Sequence, residues 1–176
     1  MVHEDNFLVP LCLCGSKRKT KMSTQQKITP FLWFNTEAGE AMDFYASVFK
    51  NSKIINQMKL PDGTVFTGTM EIEGQVIHFL NTRQVTEFLD SFSLMVSCEN
   101  QTEVDEYWNK LIADGGAESM CGWCVDKFGV SWQIIPTALG KFIGSPEREK
   151  ANRAINAMLR MKKIVIADLE KAFNGK

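Results

Sequence analysis

Apolar positions along the chain switch between two periods, and each switch marks the border of an element. Ile28 to Phe34 is an apolar strand with Pro30 near its start. Over Glu37–Lys50 the apolar residues recur at three and four, so Ala38, Ala41, Met42, Tyr45, Val48 and Phe49 share one helical face. Asn35 or Thr36 is the expected cap and Asn51-Ser52 the stop. Lys53–Leu60, Thr64–Ile72 and Val76–Leu80 read as three strands, separated by Pro61-Asp62-Gly63 and by Glu73-Gly74, both turn formers. The first half is strand, helix, three strands.

The second half repeats that order. Phe92–Ser97 reads as a strand and Gln101–Ala113 as a helix with Val104, Tyr107, Trp108, Leu111 and Ile112 on one face. Gly115-Gly116 stops it. A short strand near Glu118–Cys121 leads into Cys121–Pro136, two strands folded about Asp126-Lys127-Phe128-Gly129. Aspartate opening and glycine closing that turn suit type I, and the β-branched and aromatic run Val130–Ile135 suits a half-buried strand. At an offset of 63 Leu32 meets Met95, Phe44 meets Tyr107, Tyr45 meets Trp108 and Val48 meets Leu111. Aromatics at matching helical positions indicate a duplicated βαβββ unit. Past Pro136 the chain turns helical: Ala138–Ile143, a helix started by Ser145-Pro146 with a stripe through Ala151, Ala154, Ile155, Met158 and Leu159, and Ile166–Phe173 stopped by Asn174-Gly175.

These elements predict an α+β fold of two βαβββ modules, about 27–84 and 91–136, followed by a helical extension over 137–176. Both pieces of that extension are amphipathic and should pack on the body or on a second subunit. Residues 1–26 stand outside the pattern. There Phe7–Cys14 is apolar and Lys17-Arg18-Lys19-Thr20-Lys21 basic, the reverse of a secretory signal's order, so the stretch reads as a solvated tail or an upstream extension before Met22.

Composition narrows the function classes. The chain has 176 residues, 44% of them hydrophobic, enough for a sizeable core. Net charge is −1 and the pI about 6.1, which argues against a nucleic-acid surface. No apolar run approaches the roughly 20 residues of a membrane span. Five cysteines, an odd count in a chain this long, read as thiols of a reducing, cytoplasmic protein rather than a disulfide framework.

Few residues carry a chemical signal. Cys121 and Cys124 have the spacing of a redox dithiol, but they sit in a strand entering a hairpin, without the helix amino terminus that activates such a pair, and read as partly buried thiols. Cys12 and Cys14 lie in the tail. Asp126 reads as a turn cap rather than an acid catalyst, and Trp33, Trp123 and Trp132 as wall or core. His78, in Gly-Gln-Val-Ile-His-Phe-Leu-Asn, has two readings: a general base or donor to a ligand, or a histidine satisfied by neighbouring backbone. No Gly-rich turn with a following acidic residue offers a nucleotide-type cradle, and no serine shows hydrolase partners.

Several segments resemble a known family: Lys-Ile-Thr-Pro-Phe-Leu-Trp-Phe at 27–34, Phe-Tyr-Ala-Ser-Val-Phe at 44–49, the whole of 121–136, Ala-Met-Leu-Arg-Met-Lys-Lys-Ile at 157–164 and the helix after it. In this order they are similar to the PhnB-like, demethylubiquinone methyltransferase-named family of the vicinal oxygen chelate superfamily, which includes glyoxalase I and the bleomycin-resistance proteins. The resemblance covers 27 to 174. It implies modules that curve around a cavity, bordered here by Phe34, His78, Ser93, Trp132 and Gln133, usually in a homodimer. The superfamily's four metal-ligand positions fall on Pro30, His78, Ser93 and Gln133, a set holding one good transition-metal ligand. We therefore expect no cofactor, with a divalent metal left open. The leading functional reading is a metal-independent small-molecule binder. An enzyme of isomerase, lyase or dioxygenase type using His78 or a metal is the alternative, and a regulatory or partner-binding module the third.

Overall fold

The computed structural model describes residues 26–82, 88 and 91–176; the tail thiols Cys12 and Cys14 lie outside them. Its elements run β1 (Phe31–Phe34), α1 (Ala38–Val48), β2 (Ser52–Lys59), β3 (Val65–Ile72), β4 (Gln75–Asn81), then β5 (Leu94–Cys98), α2 (Gln101–Leu111), β6 (Ala117–Glu118), β7 (Trp123–Val125) and β8 (Ser131–Pro136). Three helices close the chain: α3 (Ala138–Ile143), α4 (Arg148–Met158) and α5 (Ile166–Asn174). The strands form two four-stranded mixed sheets of one topology, β1-β4-β3-β2 and β5-β8-β7-β6. This is the α+β fold of duplicated βαβββ modules that the hydrophobic pattern predicts.

The helices match at the predicted offset, Ala38 with Gln101 and Val48 with Leu111, 63 positions apart. The first strands do not. Leu32 is 2% exposed, whereas Met95 is 62% exposed. Register explains this: Leu32 pairs Phe79 on the buried side, and its counterpart there is Val96, which pairs Ile134. The second module has one residue fewer between strand and helix, and a one-residue slip turns every strand side chain to the other face.

Helix starts depart from local expectation in an informative way. The cap position of α1 falls on Glu37 rather than on Asn35 or Thr36, and Glu37 makes no side-chain cap bond. The first-turn amide of Ala38 instead donates to Oδ1 of Asn81 at 2.9 Å, while that amide side chain donates to the carbonyls of Thr36 (2.9 Å) and Val65 (2.7 Å). Asn81 is buried and fully partnered, so it satisfies a helix end from 43 residues away. By contrast α2 is capped locally: Asn100 Oδ1 accepts from the Glu103 amide, and Glu103 Oε2 accepts from the Glu99 amide just before the cap. Ser145 accepts from the Glu147 amide at 3.2 Å, and α4 begins only at Arg148.

The helix-bearing sides of both sheets merge into one core. Phe49, the residue after α1, stacks on Tyr107 and on Trp132, at 5.2 and 5.3 Å between ring centroids. Asp126 ties the modules together. Its buried carboxylate accepts from Tyr45 Oη (2.8 Å), Trp132 Nε1 (2.8 Å), and the amides of Phe128 (2.9 Å) and Val130 (3.1 Å). It caps its turn as expected and also clamps a helix of the first module to a hairpin of the second. The carboxylic helices pack on the second module: Leu139, Ile164 and Leu169 form a smaller core against Ile135.

Candidate functional site

Each sheet keeps one face turned away from the shared core. In the first sheet β1 alternates, sending Leu32 and Phe34 inward and leaving Phe31 and Trp33 half exposed. Pairing then sets rows across all four strands: Phe31, His78, Thr69 and Asn56 in one, Trp33, Leu80, Thr67 and Met58 in the next. The His78 ring meets the Phe31 ring edge-on at 5.7 Å, and Phe31 meets Trp33 in the same way at 6.4 Å. His78 Nδ1 lies 3.0 Å from Thr69 Oγ1. That bond holds the ring upright, and no described residue pairs with Nε2. An imidazole fixed at one nitrogen and open at the other, beside two half-exposed aromatics, can orient a flat ligand carrying one polar group.

In the second sheet the outward row is Met95, Gln133 and Trp123. Gln133 Nε2 donates to Ser93 Oγ at 2.8 Å. The four positions that the resemblance marked for metal thus fall as two adjacent pairs on two different sheets. Pro30 contributes only its carbonyl, which accepts the His78 amide at 3.0 Å, and Phe31 rather than Pro30 shares the row of His78. With Nδ1 of His78 engaged by Thr69 and Gln133 by Ser93, the donor set reduces to one imidazole nitrogen. The described residues hold no group of three or more His, Cys, Asp or Glu suited to a metal ion. These residues do not fit a divalent transition metal.

The five residues expected around a cavity are divided by this geometry. His78, Ser93 and Gln133 belong to the outward sides. Phe34 and Trp132 sit on the core side, Phe34 against Phe79 and Phe128, Trp132 bonded to Asp126. A cleft of about 560 Å³ does reach Ser93 and Trp132, running along β5 beside the β3–β4 turn. Phe31 and Thr69 were not singled out from the sequence. Phe31-Leu32-Trp33-Phe34 is apolar throughout, so alternation alone gives no outward face, and Thr69 meets His78 only through strand register.

The three described thiols, Cys98, Cys121 and Cys124, are free. Cys124 is wholly buried, and burial, with the Asp126 charge beside it, pushes its pKa up to about 12. Cys98 is likewise pushed to about 12, by burial and by Glu103. Such thiols stay protonated and make poor nucleophiles. Cys121 adopts a positive φ of 59° at the reversal before β7, not at a helix start. Burial raises the Asp126 carboxyl above its ordinary value against the pull of its hydrogen bonds, and it raises Tyr45 well above 10, helped by the Asp126 charge. No helix among the described residues is long and apolar enough to cross a membrane.

Comparison with known proteins agrees with this architecture. Residues 26–135 match the family model described as 3-demethylubiquinone-9 3-methyltransferase. The PhnB protein of Bacillus cereus is 35% identical, over 64% of this chain and 100% of its own, with a TM-score of 0.60. Protein PA1353 of Pseudomonas aeruginosa is 17% identical over 62% of this chain and 96% of its own, with a TM-score of 0.53, a likeness of fold. None of the curated proteins compared matches the chain.

Proposed function

The chain belongs to the 3-demethylubiquinone-9 3-methyltransferase family, within the vicinal oxygen chelate superfamily, and on that premise we propose that it is a metal-independent binder of a small, flat aromatic molecule. The observation that carries this is the outward row of the first sheet. There Phe31 and Trp33 stand half exposed, and His78, bonded to Thr69 at one nitrogen, has no described partner at the other. Aromatic walls with few, well-placed polar groups are what small-molecule sites use. The substrate in the family's name has a quinone-type ring, and such a ring suits this surface. The methyl transfer in that name finds less support: the strand-to-helix turns at Asn35–Glu37 and Glu99–Asn100 contain no glycine to cradle a nucleotide-type cofactor.

Half-exposed Phe31, Trp33 and Met58 form an apolar face too open to bury a ligand alone, so the same proposal has a second copy of the chain cover it. Buried free thiols suit the reducing cytoplasm as the place of action. A second reading, catalysis by His78, draws on the same hydrogen bond: with Nδ1–H donated to Thr69, Nε2 is a base facing the ligand.

The test is titration with an unreactive bicyclic phenol, 2-naphthol, followed by tryptophan fluorescence and thermal shift. The wild type should saturate, and Trp33→Ala and His78→Ala should each weaken binding about tenfold, roughly the worth of one good contact. Unchanged affinity in both variants would sink the site. Turnover of a quinone, assayed separately, that is lost in His78→Ala but kept in Trp33→Ala would favour catalysis.

A further inference from the structure

The cleft along β5 remains outside that reading. Both modules build it, with Glu73 and Ile77 from the first and Leu94, Val96, Glu103 and Tyr107 from the second. As the described residues form it, its volume of about 560 Å³ suits a small molecule, and a seam between two folded units is a usual place for one. The stacked rings of Phe49, Tyr107 and Trp132 give it an aromatic wall. Ile77, Leu94 and Val96 add aliphatic surface. Three carboxylates, Glu73, Glu99 and Glu103, line the same space.

Two of these acids are held in position. Glu73, in the turn between β3 and β4, accepts from the backbone amide of Asn51 at 3.2 Å and from its side-chain amide at 2.9 Å. Glu103 accepts from the Glu99 amide at 2.7 Å, which sets the second and third acids side by side. These donors are neutral, so they fix the carboxylates without cancelling their charge. The next acid on α2 shows the other arrangement: Glu106 meets Lys50 at 3.3 Å and Lys110 at 2.9 Å. Glu103 and Tyr107 stand one turn apart on α2, so their side chains share a face. The Tyr107 phenol feels the acids on both sides: burial first, then the charges of Glu73 and Glu103, raise its pKa above 10. It stays neutral at neutral pH, and its ring and its oxygen both attract a cation.

We propose that this cleft between the modules binds a small organic cation, a protonated amine on a flat apolar body. The ammonium group stands among Glu73, Glu103 and the Tyr107 phenol, with Glu99 beside them, and the body lies along Leu94, Val96 and Ile77. A neutral ring would leave the acids unused, and a metal ion would leave the apolar wall unused. The inference is independent of the ligand site on the first sheet.

Calorimetric titration of the full chain with naphthylmethylamine at neutral pH tests it, with naphthylmethanol, the same body without the charge, as its companion. The amine should saturate, and the alcohol should bind at least about tenfold more weakly. Glu99→Lys, at an exposed position, should weaken the amine by about tenfold and leave the alcohol unchanged. Glu103→Gln, which keeps an oxygen for the Glu99 amide, should act in the same direction. High salt should weaken the amine alone, by screening. Trp33→Ala, on the first sheet, should leave the amine untouched. Absence of saturable amine binding overturns the proposal. So does equal affinity for amine and alcohol, which removes charge from the recognition. Amine binding that is lost in Trp33→Ala but kept in Glu99→Lys overturns it as well, by placing the amine on the first sheet.

Discussion

In the first module no described residue covers the outward side of the sheet: strands of four to eight residues leave Phe31, Trp33 and Met58 half exposed. In the second, β6 and β7 shrink to two and three residues, and the carboxylic helices close over the end of the same face at Ile135. They are tied down by backbone: the amides of Cys121 and Gly122 donate to the carbonyls of Met161 and Lys162, each at 2.7 Å. Gln101 adds a bridge, donating to the Ile164 carbonyl and accepting from the Ile166 amide. One topology thus serves two ends. The clasped module is a support, and the other is the one that carries the proposed ligand face. Duplication conserved the strand order, while the surface of each copy diverged.

The joint between the copies offers the hardest way to break this comparison. Asp126→Ala removes the acceptor of four buried hydrogen bonds and should cost about 4 kcal/mol in urea unfolding, loosening both modules together. Loss of only one module's structure would show that the joint is elsewhere. Gly122→Val should act on the support alone. Gly122 has φ +86°, and a Cβ there would meet Ile135 Cδ1 at 2.9 Å and Ile164 Cγ1 at 3.1 Å. We expect a loss of about 3 kcal/mol, with exchange rising in α4 and α5 and not in β1–β4.

A subtler probe of the joint is pH. The Asp126 carboxyl is raised in the fold, so the folded state binds its proton more tightly than the unfolded state. The corresponding stability is complete below the ordinary value of 3.8 and is lost as pH rises through the raised one. Asp126→Asn cannot titrate there, so the stability of the wild type relative to this variant should fall as pH increases above about 4. A flat difference across that range would refute the burial argument. The proposed ligand face should respond least in stability: Trp33→Ala, half exposed, should shift unfolding by no more than about 0.5 kcal/mol while weakening ligand binding. A comparably small effect belongs to the exposed link between modules, Lys127 Nζ to Glu40 Oε1 at 2.8 Å, where Glu40→Gln should cost about 0.5 kcal/mol, an amount that vanishes in high salt.

Periodicity alone determined the elements, their order and the duplication. Apolar positions at three and four, alternation, and turn residues such as Pro61-Asp62-Gly63 are local signals, and local signals survive without a partner. The helical positions Phe44, Tyr45 and Val48 pair with Tyr107, Trp108 and Leu111 in fold as in sequence. Strand faces were less legible. β1 is apolar on two sides, so nothing local shows that Trp33 is half exposed, whereas in β8 Ser131 and Gln133 flank Trp132 and mark its side as the buried one. Nor could the chain alone show that Asn81 caps a helix 43 residues earlier, or that Asp126 reaches back to Tyr45. Those bonds depend on register and on how two sheets share a core, which are properties of pairing rather than of any one segment. The candidate site follows the same division. His78 stood out by residue type, whereas Phe31, Thr69 and the open nitrogen between them exist only because three strands align.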